Sequence, residues 1–342
     1  MSESPACDVI PTTKIEILKK YSYARLPGIC FCLLLVLGSS YIAEHYGTSK
    51  ILGALLLGMA FNNISRYSEF APGLDFCAKN ILRFGVALLG VRITFSQILT
   101  LGFKPLMVVV TVVVVTLLFS IFIGSFFKVD RIKALLSGAA VGICGVSAAL
   151  AVAAVLPNEK ATEKHLLCTV VGVACLSTIC MILYPGALIG LGLTPEQMGL
   201  FLGASIHDVA QVFGAGDMIS AEVAQLATYT KMLRVAMLLP TIMILAVVFR
   251  SSDSGAKNIG RMLPPFLLAF LGFVILANLN YLPDFAISGI SDLSQICLWV
   301  AMAALGAKTN LLELWQLGRK PFLMLFLNTV FIAAVSLLLV IY

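Results

Sequence analysis

The sequence predicts an all-α membrane protein with about eleven transmembrane helices. Of the 342 residues, 60% are hydrophobic and only 12% are charged, whereas roughly 25% of the residues of an ordinary soluble domain are charged. The mean hydropathy is +1.02, and apolar runs long enough to span a bilayer as helices recur along the chain. Such runs are too long for the strands of a membrane barrel. A soluble enzyme and a disordered chain are therefore excluded.

The eleven predicted spans are separated by charged segments or by segments rich in glycine and proline. Proline at the start of several runs suits a first helical turn, in which its missing N–H is not needed, and Pro240 predicts a kink in span 8. Thr194 and Gln197 predict a capping box at the start of span 7. The spans are 26–44, 49–64, 79–98, 105–127, 134–156, 165–185, 197–214, 222–249, 263–280, 293–310 and 321–341.

Charge and cysteine content exclude other classes of protein. The formal charge of +6 is spread over the connecting segments, so no nucleic-acid partner is expected. The nine cysteines form no CxxC pair and mostly lie in apolar runs, so the sequence predicts neither disulfides nor a metal site. No P-loop, HExxH or GxSxG motif is present, so we expect no cofactor and no enzyme.

The predicted organisation is a leader, an additional helix and two inverted halves. Residues 1–25 form a polar, basic leader, and 26–48 contain a first span that we expect to be retained. The halves are 49–190 (spans 2–6) and 191–342 (spans 7–11). Lysine and arginine are more frequent on the side of the N-terminus, which predicts a cytoplasmic N-terminus and a C-terminus outside.

Two internal similarities suggest different repeat registers. Leu57–Asn63 resembles Leu202–Asp208, which pairs span 2 with span 7. Ala87–Pro105 resembles Ala303–Pro321 more densely, but this similarity pairs span 3 with span 10. We favour the first register because it places a glycine-rich segment fourth in each half.

The glycine-rich segment Ser137–Ser147 predicts a broken helix in span 5. Each glycine costs about 1 kcal/mol relative to alanine in a helix, and the second half-helix would present free N–H groups to an anion. The alternative is close helix packing through Gly138 and Gly142. The matching segment of span 10 has one glycine, Gly306, and the same two interpretations apply to it. The candidate anion-binding residues of span 5 are Gly142, Cys144, Gly145 and Ser147.

An adjacent histidine and aspartate, His207 and Asp208, interrupt the apolar span 7. Ionisable groups inside a membrane are costly and are candidates for function. Histidine can exchange a proton near neutral pH, and Gln211 shares its helix face, so this group could couple a proton. Asn62 occupies the matching position in the other half. The alternative is a packed polar cluster that joins helices.

Two arginines occupy matched positions, since Asn80–Arg83 resembles Lys231–Arg234 in the favoured register. Snorkelling to the membrane interface would explain an arginine a few residues into a span. Alternatively, Arg83 and Arg234 flank an aqueous vestibule and attract the anion.

Five segments carry a family resemblance: LRFGVALLGVRITFSQI (82–98), GICGVSAA (142–149), GASIHDVAQV (203–212), KMLRVAMLLP (231–240) and AMAALG (301–306). They resemble the YeiH-type family of bacterial inner-membrane proteins, to which sulfate export has been assigned, and the resemblance runs from about residue 26 to the C-terminus. It implies the fold of the cation/proton antiporter and anion transporter group, an inverted five-plus-five repeat with crossing discontinuous helices. In this chain spans 5 and 10 would be the crossing pair.

We therefore expect a secondary transporter that exports a small inorganic or sulfonate-type anion, such as sulfate or sulfite, across the inner membrane. One alternative is a cation-coupled carrier of an organic acid or a sodium/proton antiporter, with Asp208 and Asn62 binding the cation. A third is an intramembrane thiol enzyme built on Cys144. The expected partners are the anion and the lipid bilayer, and the apolar faces of spans 1, 4 and 11 leave room for a homodimer.

Overall fold

The computed structural model is all-helical in the residues that it describes, which are 14–46, 49–93, 95, 99, 102–153, 160–248, 265–279, 282–309 and 319–342. Parts of the predicted leader and spans lie outside these residues: 1–13, 94, 96–98, 154–156, 249, 263, 264, 280 and 310. Six described helices are long and apolar enough to cross a membrane: Ala24–Tyr46, Lys104–Phe126, His165–Gly190, Ala221–Leu245, Phe285–Lys308 and Lys320–Ile341.

The described α-helices are α1 (Lys14–Tyr46), α2 (Lys50–Ala60), α3 (Ala71–Phe76), α4 (Leu82–Leu88), α5 (Lys104–Phe126), α6 (Arg131–Ala139), α7 (Val146–Ala153), α8 (Lys160–Gly190), α9 (Pro195–Ser205), α10 (Val209–Asp217), α11 (Ala221–Ala236), α12 (Leu238–Val248), α13 (Pro265–Asn278), α14 (Asp284–Lys308) and α15 (Arg319–Ile341). Short 3₁₀ or π segments adjoin some of them: Asn62–Arg66, Cys77–Ile81, Leu89–Arg92 and Ala140–Cys144.

Local sequence signals explain several helix boundaries. The Thr194 side chain accepts from the backbone N–H of Gln197, and the Gln197 side chain accepts from that of Thr194, so the predicted capping box is present. The predicted kink also lies where the sequence places it. Pro240 has no N–H for the carbonyl of Ala236, and α11 and α12 meet at a turn at Met237.

A first bundle comprises α1–α4, α13 and α14. The Arg92 side chain, at the end of the 3₁₀ segment after α4, donates to Ser291 near the start of α14. At the other end of α14, Lys308 forms an ion pair with Asp75 of α3. Arg92 also interacts electrostatically with Asp217, the last residue of α10. We call this end of the molecule the Asp217 end, and the opposite one the Arg131 end after the first residue of α6.

A second bundle, comprising α5–α12 and α15, contains the two broken helices. α15 runs antiparallel to α5: Met324, near its start, packs at the level of Gly124, near the end of α5. Farther along the two helices, the rings of Phe119 and Phe331 stack at 3.8 Å. Because α6 follows α5 directly, α15 begins at the Arg131 end.

The first broken helix turns back on itself. α8 begins at the Arg131 end, because its His165 Nε2 lies 2.8 Å from Ser137 Oγ and 3.1 Å from the Lys133 carbonyl of α6. The chain from Ala153 to Lys160 reaches at most about 25 Å when fully extended. That length is too short for α7 to continue to the Asp217 end and return, so α6 and α7 form a hairpin that enters and leaves at the Arg131 end.

The second broken helix turns back at the opposite end. α9 begins at the Asp217 end, and its Gly199 packs against Leu226 in the first half of α11. Gly216 at the end of α10 packs against Ala224 of the same helix. Because both ends meet the start of α11, α9 and α10 form a hairpin from the Asp217 end, opposite in direction to the first. We call α6–α7 the first hairpin and α9–α10 the second hairpin.

The prediction of a break in span 5 is confirmed, whereas the prediction of a break in span 10 is wrong. α14 is continuous through Gly306. The absence of a Cβ at this residue lets α14 approach the backbone of α2 at Leu55 and Gly58. The second break lies in span 7 instead, between Ser205 and Val209, and the broken spans turn back rather than cross.

The two sequence similarities differ in whether the residues that they pair have similar structural surroundings. Under the favoured register Arg83 and Arg234 should be equivalent, but Arg83 is exposed and Arg234 is fully buried. The denser similarity joins like structures, because each copy runs from the end of one helix, at Arg92 or Lys308, toward the start of another.

Thiol labelling from one side of the membrane tests the first hairpin. Membrane-impermeant maleimide should label Arg131→Cys and Lys160→Cys from the same side, and Leu191→Cys from the opposite side, because α8 alone crosses between the last two. Peptide mapping identifies the labelled site. If Arg131→Cys and Leu191→Cys were labelled from one side and Lys160→Cys from the other, span 5 would cross the membrane and the hairpin would be wrong.

Candidate functional site between the hairpin tips

The tips of the two hairpins lie against each other inside the second bundle. Gly145 forms the first tip with φ of 64° and ψ of −126°, a backbone conformation that residues with a Cβ adopt only under strain. A Cβ built on Gly145 would lie 3.6 Å from the carbonyl oxygen of His207, in the second tip. The glycine is therefore needed for its positive φ, while a Cβ at this position would make only ordinary van der Waals contact with the second tip.

The second tip is an extended segment closed by an aspartate cap. Asp208 has β-region dihedrals, and its carboxylate accepts from the N–H of Ala210 at 2.9 Å, which makes it the N-cap of α10. Its own N–H donates to Ser177 Oγ of α8 at 3.1 Å. Asp208 as a whole residue is half-buried.

Arg234 of α11 binds both hairpins with one guanidinium group. It is fully buried. Its Nε donates to the carbonyl of Gly142 at 2.6 Å, and Nη2 donates to that of Val141, both in the first hairpin. Its Nη1 donates to the carbonyls of Ala204 at 2.6 Å and Ile206 at 3.0 Å, in the second hairpin. Most donors of this side chain therefore serve backbone oxygens.

Lys231 lies one turn earlier on the same face of α11 and also donates to backbone carbonyls of both hairpins. It is fully buried, and its Nζ donates to the carbonyls of Ile143 and Ile206 at 2.8 Å each. A helix C-terminus carries roughly half a negative charge and unpaired carbonyls. Two such ends, of the π segment and of α9, converge here, and the two cations neutralise them.

His207 is a neutral imidazole with one free nitrogen. Its Nε2 lies 3.0 Å from Thr329 Oγ1. That hydroxyl donates its hydrogen to the carbonyl of Leu325 at 2.9 Å, so it can only accept from Nε2–H. The Nδ1 atom is buried and has no hydrogen-bond partner in the described part of the protein. A second proton there would add a buried positive charge beside Arg234 and Lys231, so the neutral form is favoured.

Gln211 places a second unpartnered polar atom near the second tip. Its Nε2 donates to Thr178 Oγ1 of α8 at 2.7 Å. Its buried Oε1 atom has no hydrogen-bond partner among the described residues. The second hairpin therefore offers one unpaired acceptor from Gln211, one from His207 and the carboxylate of Asp208.

The first turn of α7 offers donors rather than acceptors. The first N–H groups of a helix have no intrahelical partner, and here they belong to Val146, Ser147 and Ala148. Ser147 is exposed and lies two residues after the buried tip at Gly145. Its hydroxyl is therefore an accessible donor of the first tip, whereas Ala148 is buried and its N–H bonds to Cys144.

The predicted site residues divide into two groups. Those at or beside the two tips are Gly142, Cys144, Gly145, Ser147, His207, Asp208, Gln211 and Arg234. Three others lie elsewhere: Gly306 packs on α2, Arg83 is exposed on α4, and Asn62 is half-buried in the 3₁₀ segment after α2. No described hydrogen bond joins Cys144 to His207, the pair that a thiol enzyme would need.

Sequence reasoning missed Lys231 and the hydroxyl partners Ser177, Thr178 and Thr329. The signal for Lys231 was present, because residues three apart share a helix face and Lys231 precedes Arg234 by three. A basic pair on one face of an apolar span needs acceptors inside the protein. The hydroxyl partners give no comparable signal, since serine and threonine are common in membrane helices.

Comparison with known proteins gives a family match over most of the chain. Residues 27–325 match a family model described as "Conserved hypothetical protein 698". A UPF0324 membrane protein of Chlorobaculum tepidum is 41% identical over 91% of this chain and 88% of its own length. A UPF0324 membrane protein of Rhizobium meliloti is 38% identical over 90% of this chain and 89% of its own length. The UPF0324 membrane protein TauZ of Paracoccus denitrificans is 38% identical over 91% of this chain and 93% of its own length. No solved structure matches the chain.

Removing the Arg234 guanidinium should unfold the site. Arg234→Met leaves carbonyls of both hairpins unpaired and should cost about 3 kcal/mol or more. The melting temperature in detergent, followed by size-exclusion chromatography, should fall sharply. Arg83→Met is the matched control and should melt like the wild type, because Arg83 is exposed. Equal melting of both variants would contradict the assigned role of Arg234.

Proposed function

The chain belongs to the conserved hypothetical protein 698 family, the YeiH-type family of membrane proteins, and from this premise we propose that it is a secondary transporter that exports a small anion. The relatives are named as membrane proteins, and the helices of this chain are apolar enough for several membrane crossings. The proposed cargo is a small inorganic or sulfonate-type oxyanion, such as sulfite or sulfate. The proposed location is the bacterial inner membrane.

The observation that carries the proposal is the meeting of two oppositely directed hairpins midway through the bundle. Irregular backbone at membrane depth is tolerated only where it is buried in protein or lines a wet cavity, and Ser147 is exposed beside the first tip. An anion at this position would accept hydrogen bonds from the Ser147 hydroxyl and from the first N–H groups of α7. Gly142, Cys144 and Gly145 would shape the tip that presents these donors.

Buried charge supports an anion over a cation as cargo. Lys231 and Arg234 are both fully buried beside the tips, and Asp208 is the one carboxylate that interacts with Lys231 there among the described residues. A cation would meet two positive side chains in a medium that screens charge poorly. Arg234 would therefore attract the anion through its field, while its hydrogen bonds hold the hairpins.

Basic residues support an orientation with the Arg131 end in the cytoplasm. Described basic residues at that end include Lys128, Arg131, Lys133 and Lys308. The start of α8 adds Lys160, which would lie outside the cell if span 5 crossed the membrane. Cytoplasmic segments carry the excess of lysine and arginine. An inside-negative potential is worth about 2.3 kcal/mol per charge per 100 mV and drives an anion out of the cell, whichever way the protein is oriented.

We further propose that the second tip exchanges a proton during transport. His207 Nδ1 is the free acceptor, Asp208 stabilises the charge that a proton would bring, and Gln211 orients water or cargo through its free Oε1. The alternative function, a cation-coupled carrier of an organic acid or a sodium/proton antiporter, is favoured by the carboxylate of Asp208, which lies at the second tip and interacts with Lys231. A sodium requirement that is lost in Asp208→Asn would establish it.

Flux in proteoliposomes tests the anion site. Ser147→Ala removes one hydrogen bond to a charged ligand, worth about 1.5–3 kcal/mol, and should raise the half-saturating concentration of sulfite or sulfate about tenfold or more. Ser125→Ala is the matched control, because Ser125 is exposed at the Arg131 end. No anion-dependent flux or counterflow by the folded wild type would contradict the proposed function.

The pH dependence of the same flux tests the coupling site. Glutamine at position 207 can still donate to Thr329 but cannot titrate, so His207→Gln should flatten the pH dependence of flux, most of all on the acidic side, where the wild-type imidazole gains its proton. His165→Gln is the matched control, because His165 lies at the Arg131 end rather than at the tips. An unchanged pH profile in His207→Gln would assign the coupling elsewhere.

A further inference from the structure

The charges around the hairpin tips bear on which anion the proposed site accepts. Among the described residues, the charged side chains that interact with one another there are Lys231, Arg234 and Asp208. His207 adds no charge, because Thr329 fixes its proton on Nε2 and Nδ1 is unpaired. The side chains sum to one positive charge, whether Lys231 and Asp208 are both ionised or share their charges by passing a proton from the lysine to the aspartate.

The helix ends at the tips cancel to a first approximation. The C-terminal ends of α9 and of the π segment after α6 each contribute roughly half a negative charge, and the N-terminal ends of α7 and α10 each contribute roughly half a positive one. All four ends meet where Gly145 approaches His207. The backbone therefore leaves the net charge of the side chains almost unchanged.

Arg92 and Asp217 do not alter this balance. They lie at the Asp217 end and interact with each other, and Arg92 also donates to Ser291. Opposite charges that pair outside the site contribute little field at the tips. The unpaired charge of about +1 is thus a property of the tips themselves.

We infer that the site selects a singly charged oxyanion, such as a sulfonate or hydrogensulfite, over doubly charged sulfate. This inference rests on the proposed function. One negative charge brings the tips to neutrality, whereas two leave an uncompensated negative charge in a poorly solvated interior. The oxygens of either anion can accept the same hydrogen bonds from Ser147 and the N-terminus of α7, so charge rather than shape discriminates between them.

Methanesulfonate and sulfate give the direct comparison, since both present sulfur-bound oxygens and keep charges of −1 and −2 across neutral pH. The full-length protein in proteoliposomes should transport methanesulfonate with a ratio of maximal rate to half-saturating concentration about tenfold or more above that for sulfate, a preference of about 1.4 kcal/mol or more. Both fluxes are measured at the same pH and membrane potential.

A variant at Asp208 should change this preference in a known direction. Asparagine still caps a helix, so Asp208→Asn should keep the hairpin while raising the charge of the tips by one, and the preference should shift toward sulfate by about tenfold. Asp217→Asn is the matched control at the other end of α10 and should leave the preference unchanged. Melting temperatures verify that each variant is folded.

The outcomes separate the inference from the proposed function. Sulfate transported as well as methanesulfonate or better by the wild type overturns the inference while the anion transporter stands. A preference for methanesulfonate that stays the same in folded Asp208→Asn also overturns it. If the folded wild type transports neither of these anions nor sulfite, the proposed function fails, and the inference fails with it. If Asp208→Asn does not fold, the wild-type preference for methanesulfonate over sulfate decides by itself whether the inference holds.

Discussion

The structure depends on the hydrogen bonds that Arg234 and Lys231 donate to two sets of helix-end carbonyls. A helix broken inside a membrane leaves acceptors that neither water nor lipid can satisfy. Here two breaks are brought together so that one arginine and one lysine on the same face of α11 serve both. The cost of burying two cations is offset by the partial negative charge of the carbonyls they bind.

The two hairpin tips reach similar geometry by different chemistry. In the first, Gly145 adopts a positive φ and turns the chain without a side chain to oppose it. In the second, Ile206 is extended and Asp208 caps the following helix. The first tip consequently presents N–H donors, while the second presents acceptors and a titratable nitrogen. An anion and a proton could therefore be handled at adjoining but distinct places.

Long-range contacts also explain why the glycines differ in role. Gly306 and Gly145 look alike in sequence, each within a small-residue segment of an apolar span. Gly306 faces the backbone of α2, so its missing Cβ serves packing and α14 remains regular. Gly145 faces the tip of the other hairpin, where the helix has already ended. The neighbour across the contact, rather than the local composition, decides between packing and a break.

The sequence by itself determined the helical membrane class, the break near Gly145, the capping box at Thr194 and the adjacent polar pair His207 and Asp208 in an apolar segment. These follow from hydropathy, glycine content and capping chemistry, which act over a few residues. The tertiary structure alone decided that the broken spans turn back, that α14 stays whole and that Arg234 serves carbonyls. Those features depend on contacts between residues far apart in the chain, such as Ser137 with His165, and no local pattern encodes the partner.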